Sequence, residues 1–163
     1  MNKATFGAGC FWGVEAAFCA ADGVIGTAAG FIGGTLECPS YEDVCTGKSG
    51  HAEAVEVTFD PDITSYGALL DLFWQIHDPT TLDRQGPDKG SQYRSAIFVH
   101  NQDQRSSAEN SKQAEDESGR FGAPIVTEIS PATIFFRAED YHQKYFEKRG
   151  MAACAPAIHP ETR

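Results

Sequence analysis

The chain is short of positive charge. Lys and Arg together number 13 against 23 Asp and Glu, which gives a formal net charge of -10 at pH 7. Such a chain repels, on average, a polyanion such as DNA or RNA and an anionic membrane surface. We therefore expect neither nucleic acid nor a membrane among its partners.

Long hydrophobic runs are missing as well. No apolar stretch reaches the roughly 20 residues that cross a bilayer, and residues 1–7 lack the apolar core of a secretory signal. The five cysteines are an odd number without the dense spacing of a disulfide framework. These absences are typical of a reducing compartment, and we expect a cytoplasmic protein.

Metal and phosphate motifs are also lacking. The sequence has no C-x-x-C pair and no H-x-x-x-H pair, and its glycine-rich stretches lack the spacing and the lysine of a phosphate loop. We therefore expect no metal and no organic cofactor.

What the sequence does contain is an alternation of predicted strands and helices. Apolar periodicity and turn signals predict the order strand, helix, strand, strand, helix, strand. The six ranges are 3–8, 12–21, 24–31, 52–59, 64–77 and 94–99, with long polar segments at 33–50 and 78–93. This order predicts an α+β fold with a ferredoxin-like (βαββαβ) core, in which helices cover one face of a mostly antiparallel sheet.

Further elements are expected after this core. Asn101 is predicted to cap a polar helix that ends near Ser118, and two short strands are predicted at 124–129 and 133–136. A last helix is predicted from Glu139 to Lys148, followed by an irregular C-terminal tail. Because no linker or repeat is visible, we expect residues 1–163 to form a single domain.

Cys10 is the first candidate for chemistry. It lies in the stretch GAGCFWG, where the first strand gives way to the first helix. A thiol at a helix N-terminus has a lowered pKa because unpaired N–H groups and the helix dipole favour the thiolate. Phe11 and Trp12, which follow it, can line a small apolar pocket. From these residues alone, a nucleophile and a buried structural cysteine are equally acceptable interpretations.

Glu53 is the second candidate. In the strand AEAVEVTF it shares a face with the apolar Val55 and Val57, because alternate residues of a strand point the same way. Desolvation there would raise the pKa of its carboxyl group, as a general acid requires. Near the start of the strand, Glu53 can equally reach solvent. His51 lies on the same face and has the same two interpretations.

Other polar groups lie in the long loops and the tail. Tyr41 and Tyr93 carry hydroxyls that can stabilise a developing oxyanion, and Asp88 lies between them in sequence. Cys154 lies in a small-residue tail from which it could reach Cys10 and close a disulfide, or it is incidental.

Five ordered blocks together resemble the A-type peptide methionine sulfoxide reductases. The blocks are GCFWGVE, YEDVCTGKSGHAEAVEV, FWQIHDPT, RQGPDKGSQYRSAIF and AEDYHQKYFEK, and they span nearly the whole chain. The resemblance implies a two-layer α/β sandwich with a ferredoxin-like core. It also implies an oxidoreductase that reduces methionine S-sulfoxide, free or in oxidised proteins and peptides, since the two sulfoxide epimers have separate enzymes.

The resemblance assigns a role to each catalytic candidate. Cys10 is expected to attack the sulfoxide sulfur and Glu53 to protonate the sulfoxide oxygen. Tyr41 and Tyr93 match the tyrosines that help hold that oxygen.

The resemblance likewise implies how the substrate is bound. Asp88 matches the acidic residue of the substrate site, and Phe11 and Trp12 match the aromatic pocket for the terminal methyl group. We expect the protein to act as a monomer.

The remaining implication concerns recycling. Methionine departs, Cys10 is left as a sulfenic acid, and a second thiol converts it to a disulfide. The family resemblance implies a tail cysteine for this step, and Cys154 is the only cysteine beyond Cys45, while Cys38, Cys45 and an external thiol remain alternatives. Thioredoxin, or dithiothreitol in vitro, is the implied external reductant.

Two rival functions use the same residues. One is a cysteine hydrolase in which His51 or His77 serves as the base for Cys10. The other is a redox sensor that reacts once with oxidised proteins without turnover.

Overall fold

A six-stranded sheet with helices on one face forms the molecule. The computed structural model describes residues 2–145. The strands are β1 (Asn2–Ala8), β2 (Val24–Ile32), β3 (Ala52–Phe59), β4 (Arg84–Gln85), β5 (Asp88–Lys89), β6 (Ser95–Val99), β7 (Glu128–Pro131) and β8 (Phe136–Arg137). The α-helices are α1 (Phe11–Cys19), α2 (Tyr41–Cys45), α3 (Tyr66–Gln75) and α4 (Gln102–Ser118), with short 3-10 turns at Ser91–Tyr93 and Asp140–His142.

The strand order of the large sheet is β7-β6-β1-β3-β2-β8. The four central strands pair antiparallel, and β7 adds in parallel beside β6. With α1 and α3 as the connections, this is the ferredoxin-like arrangement that the order of predicted elements indicated. The small strands β4 and β5 form a separate hairpin.

The main core lies between the sheet and the helices. Phe6 of β1 stacks on Phe18 of α1, with ring centroids 5.0 Å apart, and on Phe73 of α3, at 5.2 Å. A smaller apolar cluster, which includes Ala54 and Phe98, covers other sheet positions. Burial of each large aromatic contributes roughly 2–3 kcal/mol, so these stacks fix both helices on the sheet.

Several predicted boundaries differ from the structure. Helix α3 begins at Tyr66, two residues after the start of the predicted range 64–77, because the Ser65 side chain caps it by accepting the backbone N–H of Ala68. Asn101 caps α4 as predicted, and its side chain accepts from the N–H of Gln104 at 2.8 Å. The two late strands start later than predicted, and each gains its place by pairing with a distant strand.

The end of the described chain also departs from its prediction. Within residues 139–145 the structure has a 3-10 turn at Asp140–His142, whereas the sequence pattern predicted a helix from Glu139. Residues 146–148 of that predicted helix and Cys154 lie outside the described residues. None of the helices within residues 2–145 is long and apolar enough to cross a membrane.

Candidate active site

Cys10 occupies the turn between β1 and α1. It is the N-cap residue of α1, is 2% exposed, and its carbonyl oxygen accepts the N–H of Val14. Gly9 before it has a φ of +96°, a conformation that favours glycine. The N–H groups of the first helical turn have no acceptor within the helix, and they favour negative charge at this end of α1. The predicted placement of Cys10 at a helix N-terminus is therefore confirmed.

Glu53 reaches this turn from β3. Its Oε1 accepts the backbone N–H of Phe11 at 3.2 Å, and the residue is only 1% exposed. It faces the same core as Val55 and Val57, as the strand alternation predicted. The alternative, in which Glu53 reaches solvent, is wrong. The buried carboxyl group of Glu53 is therefore bound to the backbone of Phe11, the residue that follows Cys10.

Two phenols come from the two long loops. Tyr41 begins α2, Tyr93 ends the 3-10 turn before β6, and the two phenols interact electrostatically with each other. Burial raises the pKa of both tyrosines well above the usual range, and the negative charge of Glu53 raises it further. Both hydroxyls therefore stay protonated at physiological pH and remain donors.

Cys45 lies at the edge of the same group. It follows Tyr41 by one helical turn of α2, is exposed, and is near enough to Tyr41 to contribute to the raised pKa of that phenol. Its charge and that of Cys10 both act on Tyr93. Of the two loop cysteines, Cys45 is thus linked to the Cys10 site through the tyrosines, whereas Cys38 is exposed in the segment before α2.

Asp88 lies on the β4–β5 hairpin. Gln85 of that hairpin forms two hydrogen bonds with the backbone of Asp78, and a Cβ added at Gly9 would lie 2.7 Å from its side chain. The hairpin therefore packs against the residue before Cys10. This contact keeps the half-buried Asp88 on an element that borders the Cys10 turn.

An aromatic group closes the other side of the site. The indole N–H of Trp12 donates to Nδ1 of His142 at 2.9 Å, and Tyr145 stacks on Trp12 with ring centroids 3.9 Å apart. His142 is 0% exposed, and burial lowers its pKa. With Nδ1 accepting, the neutral ring carries its proton on Nε2, which has no hydrogen-bond partner within residues 2–145.

The sequence did not single out His142. It lies in the block AEDYHQKYFEK, which supports the family resemblance, but a lone histidine there gives no sign of its contact with Trp12 across 130 positions.

Arg94 ties the elements of the site together. Its guanidinium donates to the carbonyls of Ser91 and Gly50, at 2.9 and 3.1 Å, and to Glu128 at 3.1 Å. Ser91 begins the turn that carries Tyr93, and Gly50 lies three residues before Glu53. One side chain thus joins the backbone segments that carry the phenol and the carboxyl group.

The histidines proposed as bases are engaged elsewhere. Nδ1 of His51 accepts the N–H of Gly34 at 3.1 Å and its Nε2 donates to the carbonyl of Leu36 at 2.7 Å. His77 pairs with the carbonyl of Phe73 and with Ser95, each at 2.7 Å. Since all four ring nitrogens are occupied, neither His51 nor His77 is available as the base that the hydrolase interpretation named. Within residues 2–145, no group of three or more His, Cys, Asp or Glu side chains could hold a metal ion.

Comparison with known proteins identifies the family. The family model of peptide methionine sulfoxide reductase matches residues 2–163. The peptide methionine sulfoxide reductase MsrA of Methanoculleus marisnigri is 61% identical over 154 residues, which cover 94% of each chain.

Solved structures agree with this match. Reduced Mxr1 from Saccharomyces cerevisiae superposes with a TM-score of 0.86 at 34% identity, over 91% of this chain and 86% of that one. Mxr1 in complex with Trx2 superposes with a TM-score of 0.63 at 26% identity, over 88% and 84%. On sequence and on structure, the chain belongs to the peptide methionine sulfoxide reductase family.

Proposed function

We propose that this chain reduces methionine S-sulfoxide to methionine, with Cys10 as nucleophile and Glu53 as acid. The observation that carries the proposal is the hydrogen bond from the N–H of Phe11 to Glu53, which fixes a buried carboxyl group beside the Cys10 turn. A thiol alone can bind many electrophiles, but removal of a sulfoxide oxygen needs a proton delivered at that oxygen. Glu53 supplies it.

The first step transfers oxygen from one sulfur to another. The thiolate of Cys10 attacks the sulfoxide sulfur and forms a sulfur–sulfur bond, while Glu53 protonates the sulfoxide oxygen. The protonated oxygen then bonds to Sγ of Cys10 as its bond to the substrate sulfur and the sulfur–sulfur bond break. The substrate sulfur gains two electrons and leaves as the thioether of methionine. Cys10 loses two electrons and carries the oxygen as a sulfenic acid.

Tyr41 and Tyr93 assist this step. Their raised pKa values keep both hydroxyls as hydrogen-bond donors, and each lies within the electrostatic reach of Glu53. Donors fixed in advance stabilise negative charge as it develops on the departing oxygen.

Trp12 forms the accessible wall of the proposed methyl pocket. Phe11 is fully buried and packs on Phe31 at 5.6 Å between ring centroids, whereas Trp12 is half-buried and keeps part of its ring accessible. We therefore assign Phe11 to the support of the pocket and Trp12 to contact with the substrate. Asp88 is assigned to the polar end of the substrate, at the side of the site that the β4–β5 hairpin borders.

Recycling returns Cys10 to the thiol. A second thiol attacks the sulfenic sulfur, a disulfide forms and water leaves, and a dithiol then reduces that disulfide. We assign the second thiol to Cys154, as the family pattern implies. Cys45 is the second candidate, because it is linked to the site through Tyr41. The yeast neighbour in complex with Trx2 supports thioredoxin as the reductant.

Replacement of the nucleophile tests the proposal. Cys10→Ser should abolish methionine release from a peptide that contains methionine S-sulfoxide, with dithiothreitol as reductant. Cys19→Ser is the matched control, since Cys19 at the other end of α1 contacts Thr27 at 3.0 Å, a contact that serine preserves. Full activity in Cys10→Ser, or equal loss in both variants, would contradict the proposal.

Mass-spectrometric mapping identifies the recycling thiol. After one turnover without reductant, we expect a disulfide between Cys10 and Cys154, and Cys154→Ser should release one equivalent of methionine and then stall with thioredoxin. A disulfide between Cys10 and Cys45, or sustained thioredoxin-driven turnover of Cys154→Ser, would show that the assignment is wrong.

A further inference from the structure

Glu15 is a fully buried carboxyl group that the proposed reaction does not use. It lies on α1 and is 0% exposed. Within residues 2–145, none of the ion pairs involves Glu15. Burial of a carboxylate is unfavourable unless hydrogen bonds compensate for lost hydration. Its place on the helix that begins beside Cys10 therefore needs an explanation.

Two hydrogen bonds satisfy this carboxyl group. Oε2 accepts the hydroxyl of Thr27 on β2 at 2.8 Å, and Oε1 accepts the backbone N–H of Lys144 at 2.5 Å. The second bond joins α1 to a segment 129 positions further along the chain. Glu15 is thus an anchor for the last described residues.

The backbone at this anchor has an unusual conformation. Lys144 has a φ of +50°, in the left-handed region that residues with a side chain rarely adopt. Beside it, Gln143 holds the backbone of Ala29 at both its N–H and its carbonyl, at 2.7 and 2.8 Å. Lys144 keeps this strained conformation because the hydrogen bonds to Glu15 and those of Gln143 hold the backbone on either side. Strained residues of this kind are frequent at functional sites.

The turn at Lys144 determines where Tyr145 lies. The ring of Tyr145 stacks on Trp12 with an interplanar angle of 11°. Trp12 and Glu15 are three residues apart on α1, so both lie on one face of the helix. That face therefore holds two successive residues, Lys144 through its N–H and Tyr145 through its ring.

We propose that Glu15 is a positioning residue that sets the size of the pocket for the sulfoxide methyl group. Its carboxylate anchors the turn at Lys144, and this turn places Tyr145 against Trp12. The inference rests on the proposed role of Trp12 as the wall of that pocket. A pocket closed in this way accepts a methyl group and excludes a longer alkyl group on sulfur.

Alkyl discrimination is the readout that separates positioning from simple stabilisation. The kcat and KM are measured with the S-sulfoxides of methionine and of ethionine, which differ by one methylene group on the sulfoxide sulfur. Dithiothreitol is the reductant, so recycling through the tail does not limit the rate. In Glu15→Ala we expect KM for methionine sulfoxide to rise with little change in kcat. The methyl-to-ethyl ratio of kcat/KM should fall by about threefold or more.

Two variants serve as matched controls. Glu15→Gln should keep the ratio of the wild type, because an amide oxygen can still accept the N–H of Lys144. Thr27→Val removes the bond to Oε2 and the contact of Thr27 with Cys19 but leaves the bond from Lys144 to Oε1 in place, so we expect a lower melting temperature with the ratio unchanged. A lower melting temperature in Glu15→Ala with an unchanged ratio would show a purely structural role and overturn the inference.

Two further variants keep the test decisive if Glu15→Ala does not fold. Tyr145→Ala leaves the buried carboxyl group in place and should lower the ratio in the same direction, and an unchanged ratio would overturn the inference. Trp12→Ala tests the pocket itself. If Trp12→Ala leaves the ratio unchanged, the assigned role of Trp12 fails as well. If Trp12→Ala lowers the ratio and neither Glu15→Ala nor Tyr145→Ala does, only the role of Glu15 fails.

Discussion

A single backbone hydrogen bond, from Phe11 to Glu53, relates the acid to the nucleophile at the residue scale. Glu53→Gln tests the acid directly, because glutamine keeps an oxygen for the N–H of Phe11 but has no acidic proton. We expect the rate of methionine release to fall by about 100-fold or more, with the melting temperature little changed. Glu56→Gln on the same strand, where Glu56 pairs with Lys3 at 3.3 Å, is the control and should keep the wild-type rate. An unchanged rate in Glu53→Gln near neutral pH would exclude Glu53 as the acid.

The residue scale also shows where sequence patterns suffice. The face of Glu53 was predictable, because the alternation of β3 is local and places it with Val55 and Val57. Its burial was left open by the sequence and comes from the structure. The contacts of His142 and Glu15 were not, because each joins segments about 130 positions apart. A helical glutamate in the sequence looks like a surface residue, and only the folded chain shows that it is buried.

Arg94 acts at the scale of elements, since it holds the turn of Tyr93 and the start of β3 together. We predict that Arg94→Lys lowers kcat/KM by about tenfold while the protein stays folded, because an ammonium group cannot reproduce the planar set of donors. Arg120→Lys, on an exposed pair with Glu115, should leave kcat/KM unchanged. Activity and circular dichroism of the two variants check this. Equal activity in both would show that the link does not position the site.

The elements themselves were predicted unevenly. Long periodic segments such as α1, β3 and α3 were predicted within two or three residues, because their apolar patterns are strong. The five-residue helix α2 was missed inside a polar loop, although its capping box of Ser40 and Asp43 is visible in the sequence. The short strand β8 depends on pairing with β2, which no local pattern reveals.

At the scale of the whole molecule, antiparallel pairing brings the site residues together at one end of the central strands. Strand β1 ends just before Cys10. Glu53 is the second residue of β3 and lies opposite Phe31, near the end of β2. β6 begins just after Tyr93, and its Ser95 lies opposite Ala8 at the end of β1. The element order predicted the fold class, whereas this convergence and the strand register that brings Glu53 to the N–H of Phe11 came from the structure.

A chain of hydrogen bonds that runs through His77 and Ser95 makes the free energy of unfolding depend on pH. His77 binds the carbonyl of Phe73 and Ser95, and Ser95 contacts Thr127 at 2.8 Å. Burial lowers the pKa of His77 from 6.5 to about 4. Below pH 6.5, His77 therefore binds a proton in the unfolded chain but stays neutral in the folded chain. The contribution of His77 to the free energy of unfolding is complete above pH 6.5 and is lost as the pH falls towards 4.

Urea unfolding from pH 7 to pH 4.5 tests this dependence. Other groups titrate over the same range, so the comparison is between the wild type and His77→Gln, which keeps hydrogen-bonding capacity but has no proton to gain. On acidification, the free energy of unfolding of the wild type should fall by on the order of 2 kcal/mol more than that of His77→Gln. The variant is expected to be less stable at pH 7, because its fit to Ser95 is poorer, and to approach the wild type at acid pH. Parallel pH profiles for the two proteins would show that His77 is not the titrating group.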